Sequence, residues 1–194
     1  MKLKTSITII GGCLVIFLFI MLPLFLSIQD KKDDYISSIK GLSFSLTDIN
    51  NNPITEKSFQ IKNAALFFGF THCPDVCPIT LNKLSIILDE LEKENKTLKV
   101  FFISIDPERD TPEVMRDYLN SFAGKFIGIT GEPEKIFKLS QSWGIASQKI
   151  FSDSGEYTVN HSSPVILLKD GKYVNRITQH DDIKASIKKI KKYL

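Results

Sequence analysis

Short apolar runs alternate with segments of helical periodicity along most of the chain. Residues 64–70 and 98–105 are nearly continuous apolar runs, which are typical of strands buried on both faces. Between them, leucines recur every three or four positions from Leu81 to Leu91, which predicts an amphipathic helix over about residues 78–95. The same criteria predict further strands at 126–130, 146–151, 157–159, 164–168 and 173–177, and further helices at 112–122, 133–143 and 181–194.

The start of the globular region has the pattern of a small hairpin. Residues 42–48 alternate apolar and polar side chains, and the run from Asn50 to Pro53 is a strong turn signal. We therefore predict an N-terminal β-hairpin, followed by strands that alternate with helices. This order is typical of an α/β sandwich with a mixed central sheet.

The first 28 residues differ from everything that follows. Residues 7–28 carry no charge, and as a helix they would extend about 33 Å, enough to cross a hydrocarbon core of about 30 Å. The run is long for a cleaved signal and no small-residue cleavage site follows it, so an uncleaved anchor is the preferred interpretation. We predict an anchor at residues 1–28, a polar linker at 29–40 and one domain at 41–194.

The location of the domain follows from this anchor. Lysines flank the apolar run on both sides, so the positive-inside count does not decide the orientation. The short N-terminal tail favours an inside N-terminus. We therefore expect a bacterial inner (plasma) membrane protein whose domain faces the periplasm or outer side.

Composition narrows the class of protein only slightly. The chain has 194 residues, 43% hydrophobic and 24% charged, which is ordinary for one globular domain with a normal core. Its net charge of +3 is too small to argue for a nucleic-acid partner. The lysines at 188, 189, 191 and 192 fit the last turn of a helix, where cations suit the dipole; binding to an acidic membrane surface is a weaker alternative.

Two cysteines carry the clearest chemical signal. Cys73 and Cys77 lie four positions apart where a predicted buried strand gives way to a predicted helix, so both sulfurs share one side of a helical turn. Such a pair can close a disulfide or hold a soft metal ion. The alternative is a pair of small core residues, but the interleaved His72 and Pro74 disfavour it. In α/β sheets, ligands bind at the carboxyl ends of the strands. A cysteine pair at this position, together with strands that alternate with helices, predicts a thioredoxin-like fold.

The kind of metal and a third ligand can also be considered from the sequence. Two sulfurs and one imidazole suit copper, whereas structural zinc normally needs four ligands and the predicted domain has no third cysteine. His161, in a predicted loop before an apolar strand, is a candidate ligand; the alternative is a structural, hydrogen-bonded histidine. His72 is expected to point away from the sulfurs and His180 to lie at the surface. Asp106 and Arg109 are expected to form an ion pair within a loop.

Three stretches of the chain resemble the Sco/SenC family. They are residues 68–78 (FGFTHCPDVCP), 106–112 (DPERDTP) and 157–162 (YTVNHS), in the family's order. The resemblance implies a membrane-tethered, thioredoxin-like copper protein with Cys73, Cys77 and His161 as ligands of Cu(I) or Cu(II). It implies a role in assembling the dinuclear copper centre of cytochrome c oxidase subunit II, with that subunit and other periplasmic copper or thiol-redox proteins as partners. One departure is Asn160, where the family usually has aspartate.

Three functions remain open at this point. A copper chaperone would bind and transfer the metal. A thiol–disulfide reductase would use Cys73 and Cys77 as catalytic thiols to keep the cysteines of an oxidase subunit reduced. A redox or copper sensor would act through a partner. We also predict that Cys73 and Cys77 form a reversible intramolecular disulfide, because their spacing allows the approach that the bond needs.

Overall fold

The computed structural model describes Met21 and residues 44–194. The chain divides into two units, 1–41 and 42–194, and the second is the one described below. Its elements in chain order are β1 (Leu46–Asp48), β2 (Pro53–Ile54), a 3-10 turn (Glu56–Phe59), β3 (Asn63–Gly69), α1 (Val76–Lys93), β4 (Lys99–Ser104), α2 (Pro112–Asn120), β5 (Phe126–Thr130), α3 (Pro133–Ser142), β6 (Ser147–Phe151), β7 (Tyr157–His161), β8 (Val165–Lys169), β9 (Lys172–Ile177) and α4 (Ile183–Lys191).

Seven strands form one mixed sheet in the order β2-β1-β5-β4-β3-β8-β9. The pairs β3–β4 and β4–β5 are parallel, and the remaining neighbours are antiparallel. The predicted α/β sandwich with a mixed central sheet is therefore confirmed, and so is the N-terminal hairpin, formed by β1 and β2. Strands β6 and β7 pair only with each other, as a separate two-stranded sheet.

Helix α1 packs its apolar stripe against one face of the sheet. Leu81, Leu84 and Ile87 are fully buried there, beside Phe67 of β3 and Phe102 of β4. Strand β3 has both edges paired, with β4 and β8, and its residues 64–69 are all buried, which agrees with its continuous apolar run. The helix that begins next to the cysteines is thus fixed to the centre of the sheet.

The structure corrects one expectation, and another concerns residues that are not described. The sequence predicted His161 in a loop, but it is the last residue of β7, because the ladder with β6 continues two residues beyond the apolar pattern. In the part of the chain that the structure describes, no helix combines the length and apolar character needed to span a membrane. The predicted anchor and linker, residues 1–40, lie outside the described residues except for Met21.

Candidate functional site

The first part of the candidate site is the cysteine loop, residues 70–77, which leaves the carboxyl end of β3 and enters α1. The Cys73 amide donates to the Phe70 carbonyl at 3.2 Å, which closes the turn. The Cys77 amide then donates to Cys73 Sγ at 3.4 Å. Asp75, at the N-cap of α1, makes no side-chain capping bond, so the Cys73 sulfur accepts one of the free amides of the helix N-terminus. The predicted placement of both sulfurs at a helix start is what the structure has.

The two thiols differ in exposure. Cys77 is fully buried, whereas Cys73 is partly accessible, and both are free thiols. Burial raises the pKa of the Cys77 thiol far above its usual range, against a smaller lowering by the Phe70 backbone. A Cβ on Gly69 would lie 2.8 Å from Cys77 Sγ and 2.7 Å from a ring carbon of Phe102. The close packing of this sulfur therefore requires glycine at the end of β3.

A buried carboxylate, Asp110, holds the start of the cysteine loop. It accepts from the Thr71 hydroxyl and the Ser104 hydroxyl, each at 2.6 Å, and from the Thr71 amide at 3.2 Å. Burial raises the pKa of Asp110, and these hydrogen bonds partly oppose that rise. Asp110 does not cap α2; Thr111 is the cap, since its hydroxyl accepts from the Val114 amide at 3.3 Å. This anchoring role of Asp110 was not predicted from the sequence.

The second part of the candidate site is the histidine hairpin, β6 and β7, which ends at His161. The His161 ring packs edge-on against Phe70, with ring centroids 5.8 Å apart. Its Nδ1 lies 3.0 Å from the Ser162 carbonyl oxygen. A carbonyl can only accept, so Nδ1 carries the proton and Nε2 keeps a free lone pair. Burial lowers the pKa of His161, against a smaller rise from Ser162, which favours the neutral, metal-binding imidazole.

The residue that departs from the family pattern does not orient this imidazole. Asn160 pairs with Gln148 in the hairpin and is exposed. Successive side chains of a strand point to opposite faces, so Asn160 and His161 lie on different sides of β7. The Ser162 carbonyl is the group that fixes the His161 tautomer.

A polar cluster joins the histidine hairpin to the loop after β4. Arg109 pairs with Asp106 and donates to the Tyr157 carbonyl at 2.9 Å, and the Tyr157 hydroxyl donates to Asp106 at 2.7 Å. The guanidinium also lies over the Tyr157 ring, 3.9 Å from its centroid. The predicted Asp106–Arg109 ion pair is confirmed, but its third member, Tyr157, was not predicted.

The candidate ligands are therefore only partly assembled. Cys73 and Cys77 are in contact, and His161 reaches the cysteine loop through Phe70. Within residues 44–194, no group of three or more His, Cys, Asp or Glu side chains is close enough to hold a metal ion. Of the other two histidines, His72 belongs to the cysteine loop but is half exposed and lies near Asp110, and His180 borders a surface cavity of about 330 Å³.

The chemistry of the donors still fits a soft ion. Two thiols that share a helix start and one neutral imidazole with a free Nε2 form a set that suits Cu(I), and with the nitrogen also Cu(II). The same thiols, one accessible and one buried, can also exchange with a disulfide.

The fold and this cysteine pair define a thioredoxin-like protein. The SCO1/SenC family profile matches residues 33–194. The chain therefore belongs to the SCO1/SenC family, and the resemblance noted from its three motifs is confirmed.

Individual relatives agree with this assignment. A SCO2-like protein of Rickettsia typhi is 33% identical over 193 residues, which cover 97% of this chain and 93% of that protein. The mitochondrial protein SCO2 of Saccharomyces cerevisiae is 32% identical over 169 residues, covering 85% of this chain but only 56% of the yeast protein. The copper-bound structure of Bradyrhizobium japonicum ScoI is 37% identical, with a TM-score of 0.71, and covers 79% of this chain and 99% of that one.

Proposed function

We propose that this protein is a membrane-anchored copper chaperone that binds copper as cargo through Cys73, Cys77 and His161. In this proposal it helps to assemble the dinuclear copper centre of cytochrome c oxidase subunit II. The anchor is the uncharged run at residues 7–28, and the domain faces the periplasm or outer side of a bacterial plasma membrane.

The observation that carries the proposal is the paired sulfur site at the end of β3. The Cys77 amide donates to Cys73 Sγ, and the two sulfurs belong to one turn, so a soft ion can replace both thiol protons without a change of fold. The copper-bound ScoI structure, at 37% identity, supports copper as the metal.

His161 supplies the third donor in this proposal. Its neutral state and its fixed Nδ1 proton leave Nε2 for the metal. A displacement of the histidine hairpin toward the cysteine loop would complete the set. Copper binds thiolates and a neutral imidazole, and acid protonates both kinds of group, so copper affinity should fall as the pH is lowered.

The proposal is tested by copper stoichiometry and sulfur-to-copper absorption of the full-length protein, kept in detergent. Cys73→Ser and Cys77→Ser should each abolish tight Cu(I) binding, because one sulfur and one nitrogen make a poor site. His161→Ala should retain some Cu(I) but lose most Cu(II), which favours nitrogen ligands. The matched control is His180→Ala, which should bind like the wild type. Unchanged stoichiometry and spectrum in His161→Ala would exclude His161 as a ligand.

A second function, thiol–disulfide exchange, is favoured by the asymmetry of the thiols. Cys73 is accessible enough to attack a partner's disulfide, and buried Cys77 is placed to resolve the mixed disulfide. Mass spectrometry after alkylation should find two more alkyl groups on the reduced domain than on the oxidised one. Full activity of His161→Ala in reducing a disulfide peptide, with no copper bound by the wild type, would make the reductase the leading function.

A further inference from the structure

Strand β6 pairs with β7 along one edge, and in the part of the chain that the structure describes its other edge has no partner strand. Folded proteins commonly protect such edges with proline, bulges or free charges, because an open edge is a template for another chain. Strand β6 has an ordinary length of five residues and contains neither proline nor a bulge. Its one charged side chain, Lys149, is paired with Glu108. The edge is therefore open for pairing.

The register of the hairpin identifies the backbone groups on this open edge. The Ser152 amide donates to the Glu156 carbonyl at 2.7 Å, and the Ser162 amide donates to the Ala146 carbonyl at 3.2 Å, so the bonded pairs fall at even positions of β6. In an antiparallel ladder, bonded residues alternate with residues whose amide and carbonyl point away from the partner strand. The outward-pointing amides and carbonyls are those of Ser147, Lys149 and Phe151.

Apolar surface surrounds the open edge. Phe151 and Ile150 of β6 are 65% and 44% exposed, and Phe137 of α3 is 47% exposed. A cavity of about 240 Å³ is lined by β6, β7, α3 and the loop after β4, and its apolar lining comes from Ile105, Ile136, Phe137 and Val159. Side chains of a strand added to β6 would alternate between the hairpin face that borders this cavity and the face that carries Ile150. The occupant that fits is an extended, largely apolar segment.

The open edge also lies beside the proposed copper donor. Ser147 of β6 is directly opposite His161 of β7. Neighbouring strands are about 4.8 Å apart, so a strand added to β6 would run about 10 Å from β7. A protein that takes copper from His161 must itself come this close. A second copy of this chain fits less well, because the register that pairs all five residues of two β6 strands puts Lys149 of one copy opposite Lys149 of the other.

We propose that the open edge of β6 is the docking site of the copper-receiving partner, which adds an extended, largely apolar segment of its own to the histidine hairpin as a third strand. The identity of the partner rests on the proposed function, whereas the strand addition rests on the edge itself. Main-chain hydrogen bonds would supply affinity, and the cavity would select among side chains.

Amide hydrogen exchange of the full-length protein in detergent, read by NMR, tests the proposal. The probe is the metal-free soluble copper domain of cytochrome c oxidase subunit II. In the free protein the edge amides of Ser147, Lys149 and Phe151 should exchange fast, whereas those of Gln148 and Ile150, which bond to β7, should be protected. The probe should slow exchange of the three edge amides about tenfold or more and leave the other two protected. Docking on a face of the hairpin would not produce this alternation.

The matched variants are Lys149→Pro and Lys149→Ala. Both lose the ion pair with Glu108, but only proline removes an edge amide and puts a ring in the path of an added strand. The bonds between β6 and β7 involve other residues and are kept. Calorimetry should find that the probe binds Lys149→Pro at least about tenfold more weakly than Lys149→Ala. If Lys149→Pro does not fold, the exchange pattern of the wild type decides the proposal.

Several outcomes would overturn the inference. They are equal binding of the probe by the two variants, and probe-induced protection that does not alternate along β6. Slow exchange of the edge amides in the free monomer would mean that this chain covers its own edge, and a dimer with alternating protection would assign the edge to a second copy. A wild type that binds no copper but shows the alternating pattern with the probe would contradict only the proposed function. Copper binding without that pattern would contradict only the strand addition.

Discussion

The cysteine loop and the histidine hairpin are held by the fold in different ways. The cysteine loop leaves β3, which lies between two neighbours in the seven-stranded sheet, and it enters a helix that packs on that sheet. Its first residues are fixed by the buried Asp110. The histidine hairpin is a two-stranded sheet of its own, with a largely exposed β6, joined to the loop after β4 by the cluster around Tyr157.

Under the proposed function, this difference gives the two halves of the site separate tasks. The sulfur pair is already organised, so a soft ion meets both donors at little conformational cost. The imidazole lies on a separate two-stranded sheet, which meets the cysteine loop through Phe70. Changes in the cysteine loop should therefore affect stability and Cu(I) binding together, whereas changes in the hairpin should act mainly on Cu(II).

The largest effect is expected from Asp110→Ala. The change leaves the Thr71 and Ser104 hydroxyls without their buried acceptor, and each unsatisfied group destabilises by about 1–3 kcal/mol, so we expect a loss of roughly 2–4 kcal/mol. Urea denaturation measures it. Asp117→Ala, at an exposed position on α2, is the matched control and should change stability by less than about 0.5 kcal/mol. Equal losses in the two variants would show that Asp110 does not anchor the loop.

A smaller effect is expected from Gly69→Ala. The added Cβ would lie 2.8 Å from Cys77 Sγ, so either the sulfur or Phe102 must move, and overpacking of this kind destabilises by about 1–3 kcal/mol. The displaced sulfur should also weaken Cu(I) binding. Gly155→Ala is the control: alanine would be strained at the φ of +85° that glycine adopts there, but its Cβ would meet no atom within 4 Å, so this variant should lose stability without any change in Cu(I) affinity. Wild-type Cu(I) affinity in Gly69→Ala would contradict the packing argument.

The sequence predicted the main strands and helices well because the patterns that identify them involve residues close together in the chain. Apolar runs and helical spacing depend on neighbours a few positions apart, and they located β3, α1 and β4 to within about two residues. The cysteine pair was equally readable, since four-residue spacing at a strand-to-helix transition needs no tertiary information. His161 was found as a candidate donor, although its strand was predicted two residues too short.

The connections between the two halves could not be predicted in the same way. Thr71 and Asp110 are 39 positions apart, and Asp106 and Tyr157 are 51 apart. No periodicity relates residues that lie so far apart in the sequence. An aspartate just before a helix looks the same in the sequence whether it caps that helix or, like Asp110, is buried and anchors another loop. Only the order of the strands brings these side chains together.

Tyr157→Phe tests how the histidine hairpin contributes to stability and to copper binding. The change removes the hydroxyl that donates to Asp106 at 2.7 Å but keeps the ring under the Arg109 guanidinium. A hydrogen bond to a charged group contributes about 1.5–3 kcal/mol, and Asp106 keeps Arg109, so we expect a loss of about 1 kcal/mol. Cu(II) affinity should fall more than Cu(I) affinity, as measured by metal competition. The reverse order would contradict the division of tasks between the two halves.

The smallest expected effect is a pH dependence of stability that comes from His161. Burial lowers its pKa in the folded protein, while the unfolded chain has a value of about 6.5. As the pH falls through about 6.5, the unfolded state takes up the proton first, so His161 makes the metal-free protein progressively less stable until the folded pKa is passed. Asp110 acts with the opposite sign, because burial raises its pKa and its protonation in the fold favours stability at lower pH. The informative quantity is therefore the difference between variants: between about pH 7 and pH 5, His161→Gln should lose less stability in urea denaturation than the wild type, and His180→Gln should follow the wild type. If the stability of His161→Gln falls with pH as steeply as that of the wild type, the imidazole has the same pKa in the folded and unfolded protein. The proposal of a buried, neutral donor in the hairpin would then be wrong.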